Sequence, residues 1–258
     1  MSDAPSVLLS VDGPVAEITL NRPQVLNALD AAALRLLRAH LAACRDDDAV
    51  RVVVLTGAGG RAFCVGTDLK ATGGAAARGD DDYIGLYALH ELALWKPMIA
   101  AVDGHCIGGG LELALQCDLR IASTRSTFAL PEARVGSFPG GGGVTMLLER
   151  LPRAIALEMM LCATPLSAEA ALAHGLVSAL HPPEALRGAA RVLADRVAAC
   201  APLSVQAIKR IAFESTGLAT PDAFARARQA FAKLMDTEDR AEGRRAFAEK
   251  RAPRFVGR

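Results

Sequence analysis

The chain has 258 residues, of which 52% are hydrophobic and 22% are charged, and its formal net charge is +1 at pH 7. This balance excludes a mainly disordered chain, and the near-zero charge provides no overall field that would attract a nucleic acid or a membrane surface. Glycine and proline are scattered without a period, which excludes a collagen-like sequence. The length predicts one large domain or a domain with an appendage.

In the N-terminal half, short apolar runs alternate with turn residues. Residues 7–11 and 15–20 flank an Asp-Gly dipeptide, which predicts a β-hairpin. Asp30 is placed to cap a helix in which leucines recur at helical spacing. Residues 50–55 and 98–102 are almost continuously apolar, which is typical of strands that are covered on both faces.

The middle of the chain predicts a layered α/β region. A short helix should follow the three glycines at 108–110, and a further strand is predicted at 119–122. Beyond this region helical patterns dominate, with one strand candidate at 177–180. We therefore predict an α/β core over residues 1–195 and a helical region over residues 196–258.

The six cysteines include no CxxC pair and none that stands close to paired histidines. We therefore expect buried free thiols rather than a disulfide framework or a zinc site. The N-terminal segment has no basic region before a long apolar run, and no stretch approaches the roughly 18 apolar residues of a membrane span. The prediction is a cytoplasmic protein without a secretory signal or a membrane span.

One glycine pattern resembles a dinucleotide-binding fingerprint. Residues 57–62 fit GxGxxA after a predicted strand, and acidic residues follow about 20 positions on. The context does not support this function, because residues 63–67 lack a helical pattern and residues 73–82 do not form a strand pattern. We interpret the first segment as a turn and the low-complexity segment 73–82 as a mobile surface loop.

The glycines at 108–110 are a better candidate for chemistry. They leave a predicted strand and enter a predicted helix, whose first N–H groups point outward and favour an anionic or polarised oxygen. Glu112 lies within the first turn of that helix, at the same end as the glycines. Taken alone, this carboxylate is better explained as a residue that complements the helix dipole.

Glu132 is a second candidate carboxylate, and it precedes the glycine-rich segment 135–143. Taken alone, Glu132 is better interpreted as a solvent-facing acid in a turn. Together, two carboxylates near a backbone site for an anion would suit acid and base chemistry on an enolisable carbonyl. His105 is the histidine nearest to the glycines, and we interpret it as packed or hydrogen-bonded. No HExxH, GxSxG or P-loop sequence is present.

The C-terminal tail is locally basic, with seven basic and two acidic residues between positions 240 and 258. Two interpretations remain open at this stage. The tail is either a solvated helical face or a contact for a phosphate-rich small molecule or an acidic partner.

Five segments of the chain are recognisable: LNRPQVLNAL (20–29), RAFCVGTDLK (61–70), KPMIAAVDGHCIGGGLELALQCDLRIAS (96–123), FALPEARVGSFPGGGG (128–143) and EDRAEGRRAFAEKRAPRF (238–255). Through them the chain resembles the crotonase (enoyl-CoA hydratase/isomerase) family over nearly its whole length. This resemblance implies an α/β fold built as a spiral of repeated ββα units, followed by helices that form a homotrimer, often doubled to a hexamer. It implies an acyl-CoA thioester as substrate, with coenzyme A as part of that substrate, and no metal or separate cofactor.

The resemblance also implies roles for individual residues. The backbone N–H groups of Thr67 and Gly109 match an oxyanion hole, and Glu112 and Glu132 match both catalytic glutamates of the hydratases. Positions implied to bind the substrate or its coenzyme A are Gln24, Val25, Leu26, Asp68, Leu69, Lys70, Phe247 and Lys250. The last two match positions where the tail, often from a neighbouring subunit, meets the nucleotide end of coenzyme A.

Because both glutamates are present, the resemblance favours hydration of a 2-trans-enoyl-CoA to a 3-hydroxyacyl-CoA. Glu112 would deprotonate the water and Glu132 would protonate C2, since a helix N-terminus favours charge on Glu112. Val65, Gln24 and the Ser137-Phe138 pair depart from the common family pattern, which bears on the acyl pocket more than on the chemistry.

Three functions other than hydration remain open. The first is a double-bond isomerase of the same family that uses Glu132 alone. The second is a non-catalytic member that binds a CoA ester or RNA, although the low aromatic content of 4% makes nucleic-acid binding an unexpected function. The third is an enzyme of hydride transfer.

Overall fold

The computed structural model describes residues 4–68 and 87–258. The strands are β1 (Val7–Asp12), β2 (Val15–Leu20), β3 (Val52–Gly57), β4 (Ala62–Cys64), β5 (Met98–Val102), β6 (His105–Ile107), β7 (Leu119–Ser123), β8 (Thr127–Ala129), β9 (Leu166–Ser167) and β10 (Leu180–His181). The α-helices are α1 (Ala31–Asp46), α2 (Gly109–Gln116), α3 (Gly143–Arg150), α4 (Arg153–Leu161), α5 (Ala168–Ala173), α6 (Leu186–Ala198), α7 (Pro202–Glu214), α8 (Thr220–Leu234) and α9 (Glu238–Ala248).

These strands form two sheets. The larger sheet has the order β1-β2-β3-β5-β7-β10, and it is parallel except for the β1–β2 hairpin. The smaller sheet has the order β4-β6-β8-β9, and only its β8–β9 pair is antiparallel. From β3 to β8, consecutive strands therefore alternate between the two sheets, and β5-β6-α2 is one complete ββα unit of the expected spiral.

The central strands β3 and β5 are buried on both faces, as their continuous apolar runs predict. Val53 and Leu55 of β3 point into the main core, which also packs the leucines of α1. Val52 and Val54 point to the opposite face, where they pack against α6. The strand predicted at 50–55 is thus present with a shift of two residues.

The local signals for helix starts are largely confirmed. The Asp30 carboxylate accepts the Ala33 N–H at 2.8 Å and caps α1. Ser167 caps α5 in the same way, at 3.2 Å from the Ala170 nitrogen. The strand predicted at 177–180 is wrong in its placement, because only Leu180 and His181 pair with β7.

The C-terminal part is helical, and α6 runs across residue 195, where the sequence placed a domain boundary. Four cysteines are buried, but Cys162 and Cys200 are exposed, so the expectation of buried thiols is wrong for these two. In residues 4–68 and 87–258 no helix is both long and apolar enough to cross a bilayer. The loop predicted at 73–82 lies outside the described residues, as do Leu69 and Lys70.

Candidate active site

Two glycine turns meet at the start of α2. Gly66 has a φ of +87°, and a Cβ at this position would lie 2.7 Å from the Gly109 nitrogen. Gly109 is the first residue of α2, so its N–H has no partner one turn earlier in the helix. Among the residues that the structure describes, the N–H groups of Thr67 and Gly109 have no hydrogen-bond acceptor. The structure therefore places the turn that precedes Thr67 beside the start of α2.

Glu112 lies in the first turn of α2, as the sequence predicts, but it is buried, with 4% of its surface exposed. Its Oε1 accepts the Gly143 N–H at 2.8 Å, and the Gly141 backbone also stabilises the carboxylate. Side chains would not fit at these glycines. A Cβ at Gly141 would stand 2.8 Å from Oε2, and a Cβ at Gly143 would stand 2.9 Å from Oε1.

Glu132 begins a short 3-10 turn at residues 132–135, directly after β8. Its Oε1 would lie 3.2 Å from a Cβ placed on Gly108, the residue directly before α2. The Glu132 carboxyl group therefore lies beside the glycine turn from which α2 begins. Its Oε2 is buried and has no hydrogen-bond partner in the described part of the chain. An unpartnered buried carboxyl oxygen is costly unless a ligand or a proton satisfies it.

Burial raises the pKa of both carboxyl groups. For Glu112, loss of water raises the pKa from 4.5 to about 7, the N–H groups of Gly143 and Gly141 oppose this rise, and the nearby Glu132 adds to it. For Glu132, burial also raises the pKa. For Glu112, desolvation thus outweighs the stabilising N–H groups, and a pKa of about 7 leaves both its charged and its neutral form populated near neutral pH.

Gln116, the last residue of α2, forms hydrogen bonds with the backbone around Tyr87. The Gln116 side-chain amide donates to the Tyr87 carbonyl at 2.8 Å, and its oxygen accepts the Leu89 N–H at 2.9 Å. The buried Tyr87 ring covers Gly109, where a Cβ would stand 2.5 Å from the phenol oxygen. Sequence reasoning missed this contact, because it joins residues that lack any recognisable spacing.

The segment implied to line the coenzyme A cleft is tied to the oxyanion turn. Gln24 is exposed, and Val25 and Leu26 are partly buried in a turn that Leu26 leaves with a φ of +56°. Directly before this turn, Arg22 forms an ion pair of 2.9 Å with Asp68, the residue after Thr67. Asp68 thus has a protein partner as well as the implied role toward the substrate.

The basic tail is partly neutralised by the protein itself. The buried Glu242 forms ion pairs with Arg245 and Arg251, and its Oε1 also accepts the Arg254 N–H at 2.9 Å. Phe247 is 87% exposed, and no hydrogen bond or ion pair of the described residues joins it or Lys250 to the two glutamates. The predicted role of these two residues rests on the resemblance alone.

Other candidate groups lie outside this site. His105 is exposed and its Nδ1 lies 2.9 Å from the Thr127 hydroxyl, which confirms the hydrogen-bonded interpretation. Residues 57–62 connect β3 to β4 without a helix, which confirms a turn rather than a dinucleotide fingerprint. Across the described ranges, no three His, Cys, Asp or Glu side chains are grouped closely enough to hold a metal ion.

Comparison with known proteins gives matches along the whole chain. The family model described as enoyl-CoA hydratase/isomerase matches residues 11–258. An (E)-benzylidenesuccinyl-CoA hydratase from Thauera aromatica is 44% identical over 253 residues, which cover 97% of this chain and 99% of that protein. A carnitinyl-CoA dehydratase from Proteus mirabilis is 41% identical over 259 residues, which cover 98% of this chain and 99% of that protein.

Solved structures agree with this result. The crystal structure of an enoyl-CoA hydratase from Mycobacterium marinum has a TM-score of 0.91 at 41% identity and covers 99% of this chain and 100% of its own. That of an enoyl-CoA hydratase from Bacillus anthracis has a TM-score of 0.93 at 31% identity and covers 98% of this chain and 100% of its own. On both sequence and fold, the chain belongs to the enoyl-CoA hydratase/isomerase family, whose crotonase fold it shares.

Proposed function

We propose that this protein catalyses the reversible addition of water across the double bond of a 2-trans-enoyl-CoA, giving a 3-hydroxyacyl-CoA. The observation that carries the proposal is the arrangement of the buried Glu112 and the partly buried Glu132 around the two glycine turns that precede Thr67 and Gly109. An isomerisation needs only one such carboxyl group, whereas hydration uses a base for water and an acid for carbon.

The thioester oxygen would accept hydrogen bonds from the two backbone N–H groups. As water attacks C3, the electron pair of the double bond moves toward that oxygen, and fixed donors stabilise the developing enolate. Each such donor is typically worth about 10²–10³-fold in rate. The substrate carbonyl would thus satisfy two donors that have no acceptor in the described residues.

Glu112 in its ionised form would take one proton from the attacking water, whose oxygen forms the bond to C3. Glu132 in its protonated form would give its proton to C2, so the atoms of one water molecule are added. Two features support these roles. The Gly143 N–H favours the carboxylate form of Glu112, and its pKa of about 7 leaves part of this group ionised at neutral pH. Burial raises the pKa of Glu132, which favours its neutral form. The reverse reaction exchanges the two roles.

The relatives favour a hydratase or dehydratase but carry different acyl groups. One is named for (E)-benzylidenesuccinyl-CoA and another for carnitinyl-CoA. We therefore test hydration of crotonyl-CoA, a longer straight-chain 2-enoyl-CoA and benzylidenesuccinyl-CoA by loss of enoyl-thioester absorbance. Carnitinyl-CoA is tested in the direction of dehydration, and a 3-enoyl-CoA tests isomerisation.

The decisive variants are Glu112→Gln and Glu132→Gln, with the half-exposed Glu149 on α3 changed to Gln as the matched control. We expect each of the first two to lower kcat at least about 100-fold, because acid and base catalysis each contribute about 10²–10⁴-fold. The control should keep wild-type turnover. A Glu112→Gln enzyme that retains full activity on a 3-enoyl-CoA, with no turnover of any 2-enoyl-CoA by the wild type, would replace hydration by isomerisation.

A further inference from the structure

Arg22 lies at the centre of a network that surrounds the oxyanion turn. Its Nη2 donates to Asp68 Oδ2 at 2.9 Å, and its Nη1 donates to the Ala28 carbonyl at 2.7 Å. Nη1 also lies 3.2 Å from Oδ2 of Asp30, the residue that caps α1. The Arg22 side chain is 19% exposed and the Asp68 side chain 11% exposed, so the pair is screened less than a surface ion pair.

Backbone hydrogen bonds fix the orientation of Thr67. The Leu29 N–H donates to the Gly66 carbonyl at 2.7 Å, and the Asp68 N–H donates to the Leu29 carbonyl at 2.8 Å. These bonds form a single parallel bridge between Leu29 and Thr67. In such a bridge the groups of Thr67 itself face away from Leu29, so its N–H is directed toward the Gly109 side.

A buried asparagine joins the same network to β4. The Asn27 side chain accepts the Arg22 backbone N–H at 2.9 Å and donates to the carbonyl groups of Ala58 and Ala62 at 3.0 and 2.8 Å. Asn27 has a φ of +57°, a conformation that asparagine tolerates better than most residues. Asn27 therefore holds the Arg22 backbone, while Ala28, Asp30 and Asp68 hold its guanidinium.

We propose that Arg22 is a positioning residue of the oxyanion hole, which holds the Thr67 N–H in place through Asp68 and neutralises the Asp68 carboxylate beside the developing enolate. This proposal rests on the proposed function, since it assigns the Thr67 N–H to the thioester oxygen. Two physical effects are combined. Loss of Arg22 frees the turn that carries Thr67, and it leaves a partly buried negative charge one residue away from the site where negative charge develops.

The first test compares steady-state kinetics of Arg22→Gln, Asp68→Asn and the double variant on the substrate that the wild type turns over. We expect Arg22→Gln to lower kcat about 10–100-fold with KM changed less than about threefold, since misplacing a transition-state group costs on that order. Asp68→Asn added to Arg22→Gln should recover about tenfold in kcat, because it removes the carboxylate that the Arg22 guanidinium neutralises in the wild type. Arg22→Lys keeps the positive charge but lacks the planar guanidinium with its several N–H donors. We expect its kcat to lie between those of the wild type and Arg22→Gln.

Arg125→Gln is the matched control. Arg125 also forms a two-point pair with an aspartate, Asp103, at 2.8 and 2.6 Å, but half of its side chain is exposed. Its loss should change kcat less than about twofold, as for most exposed ion pairs. Thermal melting of all variants reports whether each one is folded.

The second test measures the oxyanion hole without turnover. The thioester of 4-(dimethylamino)cinnamic acid with coenzyme A absorbs at longer wavelength when donors polarise its carbonyl, so the shift on binding reports the N–H groups. We expect a red shift with the wild type and Arg125→Gln, and a smaller red shift with Arg22→Gln. An equal red shift in the wild type and in Arg22→Gln would overturn the positioning role of Arg22, even if kcat falls. It would leave the oxyanion hole itself unaffected.

The remaining outcomes are also decisive. A KM increase without a fall in kcat would overturn the proposal and make Arg22 a contact for substrate binding. Failure of the double variant to recover activity would overturn the charge effect. Absence of a red shift in the wild type, with the probe bound, would overturn the oxyanion hole and therefore the proposed function as well.

Discussion

Two pairs of acids show how differently one fold treats carboxyl groups. Glu112 and Glu132 lie at the glycine turns, and burial raises the pKa of both. Asp239 and Glu242 lie on α9 and are 2% and 8% exposed, yet the arginines and the Arg254 N–H hold the pKa of Glu242 far below its usual value. Glu112 is as little exposed as these two acids, at 4%, but its partners differ.

The difference lies in which donors each pair receives. The Asp239 carboxylate accepts the N–H groups of Val256 and Gly257 at 2.6 and 2.9 Å, and Glu242 is surrounded by guanidinium groups and a further N–H. At the site, Glu112 receives backbone donors but no cation, and Glu132 Oε2 receives none in the described residues. Carboxylates that are fully paired hold structure together, and carboxyl groups left short of partners remain available for proton transfer.

The largest expected effect tests the donors at the site. In Gly143→Ala the new Cβ would stand 2.9 Å from Glu112 Oε1 and 3.0 Å from the Pro139 Cβ, so the carboxylate or the loop has to move. We expect kcat to fall about 100-fold, a typical cost of displacing a catalytic group by about 1 Å. Steady-state kinetics would check this, and a kcat within threefold of wild type would show that the glycine is not needed to place Glu112.

The second prediction concerns stability and the sign of its pH dependence. The folded-state pKa of Glu112 is about 7 and its ordinary value is 4.5, so ionising it costs free energy that is absent below pH 4.5 and complete above pH 7. Glu112→Gln should therefore gain up to roughly 3 kcal/mol in unfolding free energy, relative to wild type, as the pH rises from 4 to 8. Urea unfolding at several pH values measures it, and a pH-independent difference between the two proteins would contradict it.

The third prediction has the opposite sign and concerns the tail. Because the pKa of Glu242 is lowered from its ordinary 4.5, its stabilising effect is present above pH 4.5 and is lost as the pH falls below that value. Glu242→Gln should lower the melting temperature at pH 7 and speed hydrogen exchange in residues 249–258, with a smaller difference at pH 4. Glu249→Gln is the control, since Glu249 pairs with the same Arg251 but is half exposed. Equal effects of both changes would mean that burial of Glu242 is unimportant.

The smallest effect comes from a glycine without a neighbour. Gly188 lies inside α6, and a Cβ there would meet nothing within 4 Å. Gly188→Ala should leave kcat unchanged and stabilise the protein by about 0.5–1 kcal/mol, because alanine favours the helix. Compared with Gly143→Ala in denaturant unfolding and kinetics, it separates the general effect of a methyl group from its effect on the site. A destabilised Gly188→Ala would undermine that comparison.

The sequence predicts features that depend on neighbouring residues. The Asp30 cap, the hairpin at β1–β2 and the place of Glu112 in the first turn of α2 all follow from spacing within a few positions. The Gly143 donor and the Arg22–Asp68 pair lie 31 and 46 residues apart along the chain, so no local pattern contains them. The raised pKa of Glu112 is likewise contained in no local pattern, because desolvation sums over every element packed around the carboxyl group.

The turns at Asp68 and Tyr87 have a consequence for how the protein can be altered. Asp68 is anchored by Arg22, and the backbone around Tyr87 is anchored by Gln116, so both ends of the intervening stretch are fastened to the catalytic scaffold. Arg22 and Gln116 thus hold the two sides of the site without being catalytic groups themselves. A change at either residue should therefore alter the placement of the oxyanion donors and leave both glutamates present.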